Sequence, residues 1–152
     1  MRILLDTNII LRMANKSDPQ HRETTDIVRR LYGEGHVIFV FPQCIYEMWA
    51  VMTRPTGTSN GLNFTPAEAA LEVGKILQLL PLLPDTADIF PQWLSLVTRH
   101  GVSGRPTHDA RLAAAIQIHG LDAILTRNTD DFKRFGLNVI HPDDLSSGDS
   151  TP

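Results

Sequence analysis

The segment Arg2-Ile3-Leu4-Leu5-Asp6-Thr7-Asn8 decides the fold class, because an uninterrupted apolar run ends abruptly in three polar residues. Consecutive apolar residues without polar alternation indicate a strand that is covered on both faces, as in a parallel sheet. Residues 37–41 have the same character, and Ala123–Leu125 and Val139–Ile140 repeat it more weakly. The sequence therefore predicts several buried parallel strands, and the first of them ends directly before Asp6.

Segments of helical period separate these strands, and they are predicted over residues 22–31, 42–52, 65–80, 86–100 and 106–119. The third opens with Thr65-Pro66-Ala67-Glu68, which combines an N-cap threonine, a proline at the first helical position and a capping-box glutamate. The last ends at Gly120, as a C-terminal glycine predicts. Residues 81–83 form a further strand only at an edge, since prolines flank them. Alternating strands and helices predict an α/β fold.

The chain of 152 residues is long enough for one ordinary domain, which we place at residues 1–145, followed by a disordered polar tail at 146–152. The net charge of −3 excludes binding of nucleic acid through bulk positive charge alone, so any phosphate contact must be local. The single cysteine, Cys44, excludes an intramolecular disulfide. No targeting segment and no apolar window long enough to span a bilayer is found, so we expect no membrane contact and a cytoplasmic location.

Asp6 directly follows the first strand, which predicts a position at the carboxyl edge of the sheet, where α/β folds bind ligands. The alternative is an N-cap for the following helix, a role that aspartate fills well. Two further polar residues, Thr7 and Asn8, exceed what a single cap requires. We therefore interpret Asp6 as a functional residue that Thr7 and Asn8 support.

Two other carboxylates are placed to join Asp6 at this edge. Glu47 lies in the first turns of the predicted helix 42–52, and Asp109 lies near the start of helix 106–119. Taken singly, Glu47 is equally well explained as a solvent-facing residue, and Asp109 as a favourable charge at a helix N-terminus. Together, three converging carboxylates need a cation to remain ionised. Ligation by oxygen alone favours Mg²⁺ or Mn²⁺ at Asp6, Glu47 and Asp109, and metal-assisted hydrolysis of a phosphodiester.

Four stretches resemble the PIN domain in order and spacing: Leu4-Leu5-Asp6-Thr7-Asn8, Cys44-Ile45-Tyr46-Glu47, Asp109-Ala110-Arg111-Leu112-Ala113-Ala114-Ala115 and Leu125-Thr126-Arg127-Asn128-Thr129-Asp130-Asp131-Phe132. The resemblance is strongest to the VapC-type toxins of prokaryotic toxin–antitoxin pairs. It implies a three-layer α/β/α sandwich around a parallel sheet and Mg²⁺-dependent cleavage of RNA. It also implies that Asp6, Glu47 and Asp109 fill the three invariant acidic positions. An antitoxin that covers the acidic cleft and a homodimer formed through helices are implied as partners.

The fourth acidic position of the family corresponds to Asn128, where many members carry aspartate. An amide accepts a hydrogen bond from a metal-bound water but carries no charge, so we expect one well-held ion rather than two. Asp130 or Asp131 could compensate, although helix capping before Phe132 is the favoured interpretation of Asp131. Thr126 resembles the family's hydroxyl near the metal, where it would position the attacking water, with a plain strand-end threonine as an equal alternative. Asn128 and Thr126 join the catalytic candidates, and Asp131 the side chains that support the ligands.

Positive charge is modestly enriched near the proposed edge, where six of the 14 Lys and Arg residues fall: Arg99, Arg105, Arg111, Arg127, Lys133 and Arg134. Arg105 and Arg127 are the predicted RNA contacts, since they are close in sequence to Asp109 and Asn128. Contacts of this kind with phosphates position a strand without reading its sequence. A solvated basic face is the favoured alternative for the group as a whole.

Helix 65–80 carries more apolar side chains than one narrow stripe must bury, namely Leu71, Val73, Ile76, Leu77, Leu79 and Leu80. The surplus makes a homodimer physically plausible, with ordinary core as an equal alternative. By contrast, Trp49, Phe90 and Trp93 have helical neighbours that predict positions in the core rather than stacking on bases.

Two other functions remain open. A strand-end aspartate is also the nucleophile of haloacid-dehalogenase-like phosphatases, but those enzymes need a second aspartate two positions later, and position 8 is Asn. A catalytically weak PIN domain that binds RNA or another protein is the second alternative, which Asn128 makes credible. Metal-dependent cutting of RNA, turnover of p-nitrophenyl phosphate and binding without turnover distinguish the three.

Overall fold

A computed structural model of the chain describes residues 1–58 and 60–146. Within them, the strands β1 (Arg2–Leu5), β2 (Val37–Phe39), β3 (Ala123–Leu125) and β4 (Val139–Ile140) form a parallel sheet in the order β2-β1-β3-β4. Ile3 of β1 lies between Ile38 of β2 and Ala123 of β3. The first strand is therefore central, in agreement with the uninterrupted apolar run that precedes Asp6.

Eight helices accompany the sheet in the same part of the chain: α1 (Thr7–Ala14), α2 (His21–Gly33), α3 (Pro42–Thr53), α4 (Pro66–Leu79), α5 (Ile89–Arg99), α6 (Thr107–Ile118), α7 (Asp130–Lys133) and α8 (Pro142–Ser146). Successive side chains of a strand point to opposite faces of a sheet. Ile3, Leu4 and Leu5 are all fully buried, so both faces of β1 are covered. The predicted α/β/α sandwich around a parallel sheet is confirmed.

The hydrophobic core continues from the sheet into the helices that carry the acidic residues. Met48 and Met52 of α3 are fully buried in it. The alanine run of α6 is buried as well, and its small side chains let this helix approach its neighbours closely. Each large side chain buried in this way contributes about 2 kcal/mol to folding, which fixes the starts of α3 and α6 relative to β1.

The predicted elements agree with the structure to within a few residues, with some instructive differences. The second strand ends at Phe39 rather than at position 41, and Val40 instead forms an isolated bridge with Leu82. Residues 81–83 are therefore extended chain beside β2, as their flanking prolines suggested. The short helix α8 was not predicted, and α7 was expected only as a helix start before Phe132. Ser146 ends α8 instead of opening a tail, and the rest of that predicted tail lies outside the described residues.

Some aromatic side chains do not lie where the sequence placed them. Phe90 is 64% exposed and Trp49 is 37% exposed, so the prediction that they belong to the core is wrong. Phe90 stacks on Trp93, which is itself only partly buried and donates its indole N–H to the carbonyl of Thr107. Of the helices in the described ranges, none has the length and apolar content needed to cross a bilayer.

Candidate active site

Asp6 lies at the carboxyl end of the central strand and caps α1. Its Oδ1 accepts the backbone N–H of Thr7 at 2.7 Å. Its Oδ2 accepts the hydroxyl of Thr126 at 2.6 Å and the side-chain amide of Asn8 at 2.8 Å. Capping of α1 and a role in a site are thus compatible for Asp6, because one carboxylate oxygen caps the helix while the other is held by two side chains.

Burial raises the pKa of Asp6 above its ordinary value, although the hydrogen bonds from Thr126 and Thr7 oppose this effect. The negative charges of Glu47 and Asp131 raise the pKa of Asp6 further. Asp6 is therefore surrounded by donors on one side and by other carboxylates on the other.

Glu47 faces the same space from the second turn of α3. Its Oε2 accepts the hydroxyl of Thr7 at 2.7 Å, and its Oε1 accepts the side-chain amide of Gln43 at 3.0 Å. Thr7 consequently joins the two acidic residues, since its backbone binds Asp6 and its side chain binds Glu47. A solvent-facing stripe, the alternative considered for Glu47, does not account for these two contacts.

Asp109 lies in the first turn of α6 and is half-buried. Burial raises its pKa to about 6, with further increases from the charges of Asp131, Asp6 and Glu47 and an opposing effect of Arg105. The fold therefore places four carboxylates, Asp6, Glu47, Asp109 and Asp131, close enough for their charges to interact. They lie on four separate segments of the chain. This convergence was expected for three of them.

These side chains line an open cleft of about 1580 Å³, which we call the acidic cleft. Nine of the residues predicted from the sequence lie along it: Asp6, Thr7, Asn8, Glu47, Arg105, Asp109, Arg127, Asn128 and Asp131. Thr126 lies beneath the cleft and is completely buried.

The contacts of Thr126 favour the strand-end interpretation over the alternative that it positions an attacking water. Its hydroxyl donates to Asp6 and accepts from the side chain of Asn8 at 3.1 Å and from the backbone N–H of Asn128 at 3.0 Å. A hydroxyl has one donor and two acceptor sites, so all three are used inside the protein. Thr126 therefore holds Asp6 in place and has nothing left with which to position an attacking water.

The two predicted RNA contacts differ in their surroundings. Arg105 is exposed at the cleft, and its charge lowers the pKa of Asp109. The guanidinium of Arg127 lies 3.3 Å from Glu23 and 3.5 Å from Asp143, and its side chain is only 10% exposed. Arg127 therefore ties α2 to α8, and its contact with a phosphate stays a prediction.

The fourth carboxylate of the cleft comes from Asp131. Asn128, which was predicted to correspond to the family's fourth acidic position, is exposed at the rim. Asp130 points to solvent and pairs with Lys133 at 2.5 Å, which lowers the pKa of Asp130. Asp131 lines the cleft and acts on both Asp6 and Asp109, so a role limited to helix capping does not describe it.

The comparison with known proteins agrees with this geometry. The model of the PIN domain matches residues 3–137. The chain belongs to the PIN domain family. A PIN protein from Mycobacterium tuberculosis, Ribonuclease VapC24, is 26% identical over 144 residues, which cover 95% of this chain and 98% of that protein.

Solved structures share the PIN fold at lower identity. The crystal structure of Mycobacterium tuberculosis VapC20, described as a Sarcin-Ricin loop cleaving toxin, has a TM-score of 0.57 and 19% identity, and the match covers 80% of this chain and 86% of that one. A toxin-antitoxin complex from Klebsiella pneumoniae has a TM-score of 0.60 and 20% identity, with 92% of this chain and 97% of that chain covered.

The donor set of this PIN domain fits a hard divalent cation. In the described ranges, no group of three or more acidic, histidine or cysteine side chains is close enough together to hold a metal ion by itself. Mg²⁺ does not require such a group, because it keeps several waters and is commonly bound through one or two carboxylates. A cation in the cleft would also offset the burial and the repulsion between carboxylates, which together raise the pKa of Asp6 and Asp109.

Several residues of the cleft were not found from the sequence. Gln43 is buried and contacts Glu47, and Tyr46 is exposed at the rim. Arg12 and Arg54 also line the cleft. The available signal for Gln43 was its position four residues before Glu47, which places both side chains on the same face of a helix.

Proposed function

We propose that this PIN domain is a metal-dependent endoribonuclease and the toxin of a VapBC-type toxin–antitoxin pair. The observation that carries the proposal is the acidic cleft at the carboxyl edge of the sheet, which the side chains of Asp6, Glu47, Asp109 and Asp131 all line. The names of VapC24, a ribonuclease, and of VapC20, a toxin that cleaves the Sarcin-Ricin loop, support RNA as the substrate.

In this proposal Asp6 and Glu47 hold Mg²⁺ or Mn²⁺ directly, and Asp109 holds it directly or through a water that the ion keeps. Asn128 and Asp131 contact the ion through water. The bound ion would supply Lewis acidity at the scissile phosphate and a water of lowered pKa. The hydrogen bonds from Thr126, Thr7 and Asn8 keep the carboxylate of Asp6 in a fixed orientation. Arg105, exposed beside Asp109, binds a phosphate of the RNA backbone.

The test is an assay of the purified chain on a structured RNA with Mg²⁺, with Mn²⁺ and with EDTA. We expect internal cleavage that needs the divalent ion and falls about 100-fold or more in Asp6→Asn, because a direct ligand is lost. Asp88→Asn is the matched control, since Asp88 precedes α5 and its side chain makes no capping hydrogen bond. A folded Asp6→Asn protein that cuts RNA at the parent rate would sink the proposal.

One further substrate and a binding measurement complete this assay. Turnover of p-nitrophenyl phosphate without cutting of RNA would instead indicate a phosphatase. Such phosphatases need an aspartate at position 8, where this chain has Asn8, whose amide donates to Asp6 and to Thr126. RNA binding without turnover would indicate a binding module.

The proposed partners are an antitoxin and a second copy of the chain. The complex from Klebsiella pneumoniae supports an antitoxin, which would cover the acidic cleft. A homodimer is supported by α4, where Leu71 and Leu79 are each 67% exposed and, eight positions apart, lie on the same side of the helix. Apolar side chains that cluster on an exposed helix face commonly mark an interface. A cytoplasmic location stays a prediction.

A further inference from the structure

Gln43, in the first turn of α3, makes more hydrogen bonds than any role in helix formation requires. Its side-chain amide donates to Oε1 of Glu47 at 3.0 Å and to the backbone carbonyl of His108 at 2.9 Å. Its side-chain carbonyl accepts from the guanidinium of Arg111 at 3.1 Å. The residue is only 6% exposed, so these bonds form largely out of contact with water.

The three partners leave only one orientation for the Gln43 amide. A carboxylate and a carbonyl accept hydrogen bonds, and a guanidinium only donates them, so the NH₂ group must face Glu47 and the oxygen must face Arg111. Arg111 is itself fixed, because it pairs with Asp85 and lies 5.3 Å from the centre of the Phe41 ring. The planar fork of an arginine can serve two partners at once in this way.

Gln43 therefore joins the two helices that carry acidic residues of the cleft. One of its bonds goes to Glu47 on the same helix, and the other goes to the residue directly before Asp109 on α6. The second oxygen of Glu47 is held by Thr7. Without Gln43, Glu47 would keep a single hydrogen-bond partner and more rotational freedom.

We propose that Gln43 is a positioning residue, which fixes the carboxylate of Glu47 at a set distance from Asp109 and is itself oriented by Arg111. The inference rests on the proposed function in one respect, namely that Glu47 is a ligand of the divalent ion. Groups that orient metal ligands commonly change metal affinity by a factor of ten or more when they are removed.

The test measures Mn²⁺ affinity by titration calorimetry and by the electron paramagnetic resonance signal of the free ion. In Gln43→Met, which keeps the length of the side chain, we expect the Kd to rise by about tenfold. Gln92→Met is the matched control, because Gln92 bonds the side chain of Gln117 away from the cleft. Its Kd should equal that of the parent protein.

A double-mutant cycle separates positioning of Glu47 from a general structural effect. Glu47→Gln alone should weaken Mn²⁺ binding, and adding Gln43→Met should weaken it no further. If the increase in Kd of the double variant equals the product of the two single increases, the inference is overturned, since Gln43 would then act independently of Glu47. If Gln43→Met does not fold, Arg111→Lys takes its place in the cycle, because lysine cannot bridge Asp85 and Gln43. An unchanged Kd in either folded variant also overturns it.

The outcomes distinguish this inference from the proposed function. If the Mn²⁺ affinities follow the expected cycle but the parent protein cuts no RNA, the role of Gln43 is supported and the nuclease is refuted. A parent protein that cuts RNA while Gln43→Met binds Mn²⁺ normally supports the nuclease and refutes the role of Gln43. A parent protein that binds no Mn²⁺ overturns both.

Discussion

Asp6 shows how one side chain serves both the fold and the site. Its two oxygens face different partners, so capping of α1 by Oδ1 leaves Oδ2 for Thr126 and Asn8. The three donors offset part of the cost of burying a carboxylate next to Glu47. The remaining cost lowers the free energy of unfolding of the metal-free protein, and the pH dependence of that free energy measures it.

The metal-free protein should become less stable as pH rises through the acid range. The pKa of Asp109 is raised from 3.8 to about 6 in the folded state, so the folded protein binds this proton more tightly than the unfolded chain. Stability is therefore lost between about pH 4 and about pH 6, and Asp6, whose pKa is also raised, adds to this loss. Urea denaturation in EDTA at a series of pH values measures the effect.

Asp109→Asn tests this explanation directly. The substitution removes the charge that burial and Asp131 disfavour, so at neutral pH it should stabilise the metal-free protein by about 1 kcal/mol. It should also flatten the pH dependence, whereas Asp88→Asn should do neither. A flat profile in the parent protein, or a loss of stability in Asp109→Asn at neutral pH, would contradict the prediction.

The sequence was sufficient to predict the edge of the sheet at which an acidic residue lies when that position follows from one element alone. Asp6 ends a strand and Asp109 starts a helix, and in a parallel sheet both positions map to the same edge. Gln43 and Thr126 could not be assigned their contacts in this way, because these depend on the separation of elements distant in sequence. The bond from Gln43 to His108 spans 65 positions, and the bond from Thr126 to Asp6 spans 120.

At the scale of elements, helices with local start and stop signals were predicted well. The capping box predicted at the start of α4 is present, and Gly120, just past α6, has a φ of +60°. Helices α7 and α8 have four and five residues, too few to show a period. The end of β2 depends on Leu82, which takes Val40 as its partner, so it could not be read from residues 37–41.

The capping box of α4 should account for a measurable part of the stability. Thr65 accepts the N–H of Glu68 at 3.1 Å, and Glu68 accepts the N–H of Thr65 at 2.7 Å. Thr65→Ala should therefore lower the free energy of unfolding by about 1 kcal/mol. Thr65→Ser keeps the hydroxyl and should lower it by much less. Equal stability of the alanine and serine variants in urea denaturation would show that the box contributes nothing.

At the scale of the whole molecule, the exposed leucines of α4 bear on assembly. We expect the parent protein to sediment as a dimer and the double variant Leu71→Glu, Leu79→Glu to sediment as a monomer. Both side chains are 67% exposed in the single chain, so the monomer itself should stay folded. Tyr32→Glu is the control, because Tyr32 is 70% exposed on α2. A monomeric parent protein, or a double variant that still dimerises, would refute this interface.

The central position of β1 has a consequence for synthesis. The backbone N–H of Asp6 pairs with Leu125 at 3.1 Å, and its carboxylate is held by Thr126. A nascent chain leaves the ribosome N-terminus first, so Asp6 emerges long before these partners and before Asp109 and Asp131. The acidic cleft therefore cannot be assembled until the chain has been synthesised at least as far as Asp131, so the activity proposed for it can arise only after that point.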